Sequence, residues 1–314
     1  MMNARHLFKH HHFSTIYPAL FRKVNIRPYL REELTTYDGD FIHIDRLFNQ
    51  SDKVVILLHG LEGSSEAHYM KSQAKIFTES GYDVIALNFR SCSGVMNKTT
   101  TFYHSGEIRD LQTLISYVKD DYKEVSLIGF SLGGNIILNY LGRTECEFIK
   151  SAVVFSAPID LGSAVKKIAK GFGLIYSAHF MTTLREKVEW LKVNHKDSAV
   201  ATDINTKKLK TFFDFDELVT APLHGFSSAK DYWVSSSSKP YLSRIKVPTL
   251  LVNAKNDPFL GETCYLKKGE VHNDRLLFES PKYGGHIGFT EKSLKSYNFM
   301  DKRANSFILG VSNL

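Results

Sequence analysis

At 314 residues, 43% hydrophobic and 23% charged, the chain has the composition of a soluble globular protein with room for one large core or two smaller ones, which argues against a disordered chain. A net charge of +7 is mild for this length, and no nucleic-acid partner is expected from it. Cys92, Cys146 and Cys264 are odd in number, far apart and free of any C-x-x-C pattern. They suggest neither a disulfide framework nor a zinc cluster, and point to a reducing, cytoplasmic setting.

Residues 1–32 carry Arg5, Lys9, Arg22, Lys23, Arg27 and Arg31 against Glu32 alone. This basic extension reads as a solvated tail crossing the surface of its own domain, with weak peripheral contact to acidic lipid as the alternative. It lacks the apolar run of a secretory signal, and His10, His11 and His12 read as part of the tail rather than as a metal site. The segment LTTYDGDFIHIDRL (34–47) alternates on both sides of Asp38-Gly39, a hairpin signal.

From there the chain reads as strands separated by helices. VVILL (54–58) is followed by a helix over 66–80, then DVIALNF (83–89). Ile108, Leu111, Leu114, Ile115 and Val118 then recur on one helical face. VSLIGF (125–130) leads into a helix over 132–141 carrying Ile136, Ile137, Tyr140 and Leu141, which also accounts for the uncharged stretch 125–142 without a membrane span. SAVVFSAP (151–158), TLLVNA (249–254) and RLLFES (275–280) continue the pattern, and a last helix is expected over 293–309.

Such a rhythm predicts an α/β fold: antiparallel strands leading into a mostly parallel sheet with helices on both faces. It fails between about residues 160 and 246, too long a stretch for a loop of a compact domain. The expected division is therefore a basic extension at 1–32 packing on the core, a core at 33–158 and 247–314, and an inserted helical cap at 159–246. The cap should lie over the sheet's C-terminal edge, where open α/β sheets bind ligands. Ile168, Phe172, Ile175, Tyr176 and Phe180 are its apolar positions, followed by KVEWLKV. There is no internal repeat, and the only low-complexity tract is Ser235 to Ser238.

Gly129-Phe130-Ser131-Leu132-Gly133 is a G-x-S-x-G motif. By composition alone that pattern arises in roughly one chain of this length in ten. Its position between a buried strand and a helix is more telling, because such a turn exposes a serine hydroxyl at a helix N-terminus. A serine needs a base and an acid that orients the base, in the chain order Ser, Asp or Glu, His. Asp257 after TLLVNA and His286 after RLLFES fit that order. Asp160 is the competing acid, and His104 and His224 are competing histidines. Backbone N–H groups of Leu132 and Leu61, the latter in HGLEGS (59–64), are the expected oxyanion donors. His59 reads as shaping that loop.

At these residues the chain resembles the α/β-hydrolase superfamily, and within it the YheT-like (AB hydrolase 4) family, which is related to yeast ethanol acyltransferases and ABHD1 and ABHD3 type proteins. The resemblance runs through HFSTIYPALFRK, YDGDFIHID, HGLEGSSEAHYM, NFRSCSG, YHSGEIRDL, GFSLGGN, FDELVTAPLHGFSSAKDYW, VPTLLVNAKNDPF and PKYGGHIGF. It implies the α/β-hydrolase fold, with Ser131 as nucleophile, Asp257 as acid and His286 as base. The chain departs from the family pattern at Ser91, where that pattern usually has glycine, with a consequence expected for pocket shape or access. The expected activity is a serine carboxylic-ester hydrolase, esterase- or lipase-like, on short to medium acyl chains. It would take a small-molecule ester or lipid substrate and no metal or other cofactor, and no obligate protein partner is inferred. An acyltransferase is one alternative, disfavoured slightly by the lack of an H-x-x-x-x-D motif. A non-catalytic lipid-binding protein is the other.

Overall fold

The computed structural model describes residues 2, 4–198 and 203–312. Eight strands form one sheet in the order β1-β2-β4-β3-β5-β6-β7-β8. The hairpin pairs β1 (Leu30–Thr35) with β2 (Phe41–Leu47), and β2 runs antiparallel to β4 (Asp83–Asn88). From β4 onward all neighbours are parallel: β3 (Lys53–Leu58), β5 (Glu124–Phe130), β6 (Ile149–Phe155), β7 (Thr249–Val252) and β8 (Leu276–Glu279).

Both faces of the sheet are covered, which is why its central strands are continuous apolar runs rather than alternating ones. In β3, Val54, Ile56 and Leu58 belong to the core shared with α3 (Arg109–Val118) and α4 (Leu132–Arg143). Val55 and Leu57 point the other way, into the core built with α2 (His68–Glu79) and the C-terminal helix. This is the α/β-hydrolase fold that the resemblance implies.

Between β6 and β7 the chain is helical. α5 (Leu161–Ile168) and α6 (Gly173–Asn194) come first, and α6 packs Met181, Leu184, Val188 and Leu191 with Phe102, Leu209 and Phe215 into a small core of its own. Three contiguous helical pieces follow, Phe212–Phe215, the π-helical Asp216–Thr220 and Ala221–His224, then α7 (Ala229–Ser236). The serine tract ends α7 and ties it to α4: Asn135 and Asn139 both donate to the Ser236 carbonyl, and the Ser238 N–H donates to Asn135 Oδ1.

Two expectations are corrected, and the end of the sheet departs from its buried centre. The last helix, α8 (Phe299–Ser312), starts later than expected, because Asn298 and Asp301 cap it reciprocally, each backbone N–H donating to the other's side chain. β8 is the sheet edge and only half-buried, with Leu277 46% exposed. The N-terminal segment lies on its own domain but is less solvated than expected: α1 (His11–Phe21) buries Ser14 and Pro18, and the following Arg22 pairs with Asp301 at 2.6 Å. The His10 and His11 rings stack, His12 packs tilted against them, and His12 Nδ1 lies 3.0 Å from the Tyr176 hydroxyl of α6. Among the described residues, no helix is long and apolar enough to cross a membrane.

Candidate active site

Parallel pairing brings the C-terminal ends of β3, β5, β7 and β8 to one edge of the sheet, and each of the loops leaving them carries a predicted site residue. Ser131 follows β5 directly as the N-cap of α4, at φ 50° and ψ −117°. A non-glycine residue there is strained by about 1–3 kcal/mol. The flanking glycines permit the turn: a Cβ on Gly129 would sit 2.7 Å from the Gly133 carbonyl oxygen, and one on Gly133 would sit 2.4 Å from the His59 carbonyl oxygen. The motif is thus a close approach of three backbone segments.

Ser131 Oγ lies 3.0 Å from His286 Nε2, and His286 Nδ1 lies 2.9 and 3.1 Å from the two oxygens of Asp257. Asp257 is 4% and His286 9% exposed. The Phe259 ring stacks on the imidazole at 4.1 Å, and the Phe259 N–H donates to Asp257 Oδ1. A hydroxyl, an imidazole and a carboxylate in one line can pass a proton from oxygen to nitrogen while the carboxylate fixes the tautomer.

The competing residues are engaged elsewhere. Asp160 caps α5 through the Ser163 N–H and accepts from the Thr263 hydroxyl. His104 and His224 pack against each other, tilted by 57° with ring centroids 4.5 Å apart. His59 is fully buried: Nε2 accepts from the Phe89 N–H, which leaves Nδ1 to donate to the Gly60 carbonyl at 2.7 Å. Burial lowers its pKa to about 4, so it stays neutral and shapes the loop.

In that loop, Gly60 N–H donates to Tyr69 Oη, Glu62 N–H to Tyr103 Oη, and across from them Gly133 N–H to the His59 carbonyl. Among the described residues the N–H groups of Leu61 and Leu132 donate to no protein acceptor, and both residues line the cavity that holds Ser131. A Cβ on Gly60 would stand 3.3 Å from Ser131 Cβ, so the loop adjoins the serine. Lys187 of α6 reaches back to hold Glu62 at 2.7 Å, with Cys92 Sγ 3.3 Å away.

Several positioning groups escaped the sequence reading. The loop carrying His286 has Ile287 and Phe289 at positive φ, a costly conformation for a β-branched or bulky residue. Three successive amides hold it: Gly285 donates to Asn256 Oδ1, His286 to Thr15 Oγ1, and Ile287 to Ser156 Oγ, at 3.0, 2.9 and 3.1 Å. Ser14 Oγ of α1 adds a bond to the Gly284 carbonyl. Thr15 lies at the far end of the chain from His286, so no local signal could have paired them.

The cavity has a volume of about 550 Å³. Ile16 and Leu20 of α1, Ile168 and Ile175 of the α5–α6 corner, and Phe180 and Phe212 make much of its wall apolar. Asp216 lies in the same wall, its carboxylate accepting from Trp233 Nε1 and Thr220 Oγ1, and burial raises its pKa to about 7. Ser91 does not line this cavity. It lines a neighbouring cavity of about 420 Å³ at φ 58°, a conformation that explains glycine at this place, and Asn97 bonds its backbone. Among the described residues, no cluster of His, Cys, Asp and Glu could hold a metal ion.

Known proteins align with this arrangement over most of the chain. It is 30% identical over 290 residues to "Putative esterase YheT" of Escherichia coli (strain K12), covering 90% of this chain and 85% of that protein. It is 26% identical over 294 residues to "Phospholipase ABHD3" of Homo sapiens, covering 89% and 71%. Among solved structures, the Pyrococcus furiosus esterase Pf2001 superposes with a TM-score of 0.60 at 20% identity, covering 92% of this chain and 98% of that one, a likeness of fold. Residues 53–292 match the family model described as alpha/beta hydrolase fold, and the chain belongs to that family.

Proposed function

We propose that this protein is a serine carboxylic-ester hydrolase of the YheT-like group, with Ser131 as nucleophile, His286 as general base and acid, and Asp257 as the group that orients His286. The observation that carries the reading is the unbroken hydrogen-bonded line from Ser131 Oγ through both nitrogens of His286 to Asp257. Esterase and phospholipase names among the relatives support the same class of chemistry.

In this reading His286 Nε2 takes the Ser131 proton as Oγ attacks the ester carbonyl, forming a C–O bond and a tetrahedral oxyanion. The free N–H groups of Leu61 and Leu132 receive that oxyanion. Collapse breaks the bond to the alcohol, which leaves with the proton from His286. Water, deprotonated by the same nitrogen, then attacks the acyl-enzyme, and the acid and free Ser131 are released. The positive end of α4 favours the anion at this place. The apolar wall favours an acyl chain of short to medium length. Helices 159–246 act as a cap on a core formed by 33–158 and 247–314, with 1–32 packed against that core. Three free cysteines support a reducing, cytoplasmic setting.

The test is hydrolysis of p-nitrophenyl esters from acetate to long acyl chains by the wild type and by Ser131→Ala. Activity that peaks at one chain length and disappears in the variant is expected. Equal inertness of both proteins across the series would sink the reading.

A further inference from the structure

The cavity opens between α1 and the α5–α6 corner, and its rim is both apolar and basic. Leu20 is 68% exposed and Ile175 58% exposed, yet both line the cavity, so they stand at its mouth. Phe21, Phe172 and Leu174 extend the exposed apolar surface around them, at 58%, 41% and 48%. The two sides of the rim are in contact, since the His12 ring lies 4.1 Å from that of Phe172. Residues 1–31 and 161–185 contain no Asp or Glu. Lys23, Lys166, Lys167 and Lys170 are exposed there, and among the described residues none of the four enters an ion pair.

We propose that this rim docks the protein on an anionic lipid bilayer, with Leu20, Phe21, Leu174 and Ile175 entering the interface and Lys166, Lys167 and Lys170 meeting acidic headgroups. The alternation of lysines with greasy residues in KKIAKGFGLIY suits an interfacial segment, whose apolar side chains enter the headgroup boundary while its cations face phosphate and carboxylate. A folded protein partner seated on the rim would close the mouth of the cavity. A lipid surface, in contrast, presents acyl chains directly to it. That last advantage rests on the proposed esterase reading; the docking itself does not, and is measured without turnover.

The experiment is cosedimentation of the full chain carrying Ser131→Ala with vesicles of phosphatidylcholine alone, or of phosphatidylcholine mixed with phosphatidylserine. Binding to the mixed vesicles that weakens at high salt is expected. Each surface lysine contributes about fivefold, so Lys166→Gln/Lys167→Gln/Lys170→Gln should weaken binding on the order of 100-fold. Phe21→Ser/Leu174→Ser should weaken it as well, by removing the inserted side chains. None of these five residues lines the cavity, so the same substitutions with Ser131 intact should leave hydrolysis of a soluble ester and the thermal midpoint unchanged, which excludes misfolding. Failure to bind either vesicle, or full binding by the lysine variant, overturns the proposal. Loss in the lysine variant with full binding by the Phe21 and Leu174 variant also overturns it, since that result describes loose attraction to any polyanion.

Discussion

Replacing Thr15 by valine tests whether α1 is part of the active site rather than a tail beside it. Valine keeps the shape of threonine and removes only its hydroxyl, which accepts the His286 N–H at 2.9 Å and donates to the His11 carbonyl at 2.8 Å. The second bond is a local one within the helix, whereas the first leaves a buried amide without an acceptor, at a cost of about 1–3 kcal/mol. Gly285 and Ile287 remain held by Asn256 and Ser156, so the loop stays in place and the cost falls on the orientation of the imidazole. Carried wholly into the barrier, it corresponds to a fall in kcat of about 5- to 150-fold. KM should change little, because valine keeps the volume that Thr15 presents to the cavity wall. Steady-state kinetics on a soluble p-nitrophenyl ester, with a thermal melt alongside, reads both quantities. Thr15→Ser, which restores an acceptor, should recover most of the rate. An unchanged kcat in Thr15→Val, or an equal fall in Thr15→Ser, would refute the reasoning and reduce α1 to packing.

Three further outcomes follow from the same geometry. Lys187→Met leaves Glu62 buried without its cation and should destabilise the fold by about 3–5 kcal/mol in urea unfolding, while Lys187→Met/Glu62→Gln recovers much of it; a double variant no more stable than the single one would disprove the pairing. Gly133→Ala forces a Cβ to 2.4 Å from the His59 carbonyl oxygen, which is backbone and cannot rotate away, so a loss of about 1–3 kcal/mol or more is expected. Gly162→Ala, whose nearest neighbour stands at 3.6 Å, serves as the tolerated control, and equal stability of the two variants would contradict the close approach. Stability should also fall on mild acidification. His59 has its pKa lowered from 6.5 to about 4 by burial, so its contribution is complete above 6.5 and is lost as pH falls toward 4, roughly 3 kcal/mol in all. Asp216, raised from 3.8 to about 7, works in the opposite sense, its contribution present at low pH and lost as pH rises through 7. His68 and His224 are lowered by burial like His59, so the histidines dominate and the thermal midpoint should drop between pH 6.5 and 4. A flat profile across that window would show that these rings are solvated.

The sequence by itself determined the sheet and the order of its candidate residues, because both are written locally. A strand buried on two faces is an apolar run, and a tight strand-to-helix turn needs glycines at fixed spacing, so β3, β5 and the turn at Ser131 could be read residue by residue. Asp257 and His286 were legible for the same reason, each in a loop after a recognisable strand. Tertiary structure alone decided what supports them. Thr15, Ser156 and Asn256 converge on three consecutive amides from three separate segments, and Lys187 reaches Glu62 across 125 positions. A hydrogen bond between distant segments leaves no periodicity in the chain, since it constrains one side chain and not a pattern. The helix over 11–21 was likewise missed, because HHFSTIYPALF carries β-branched Thr15 and Ile16 and an internal Pro18, a weak helical signal until the His286 loop and Asp301 are there to meet Thr15, Ser14 and Arg22.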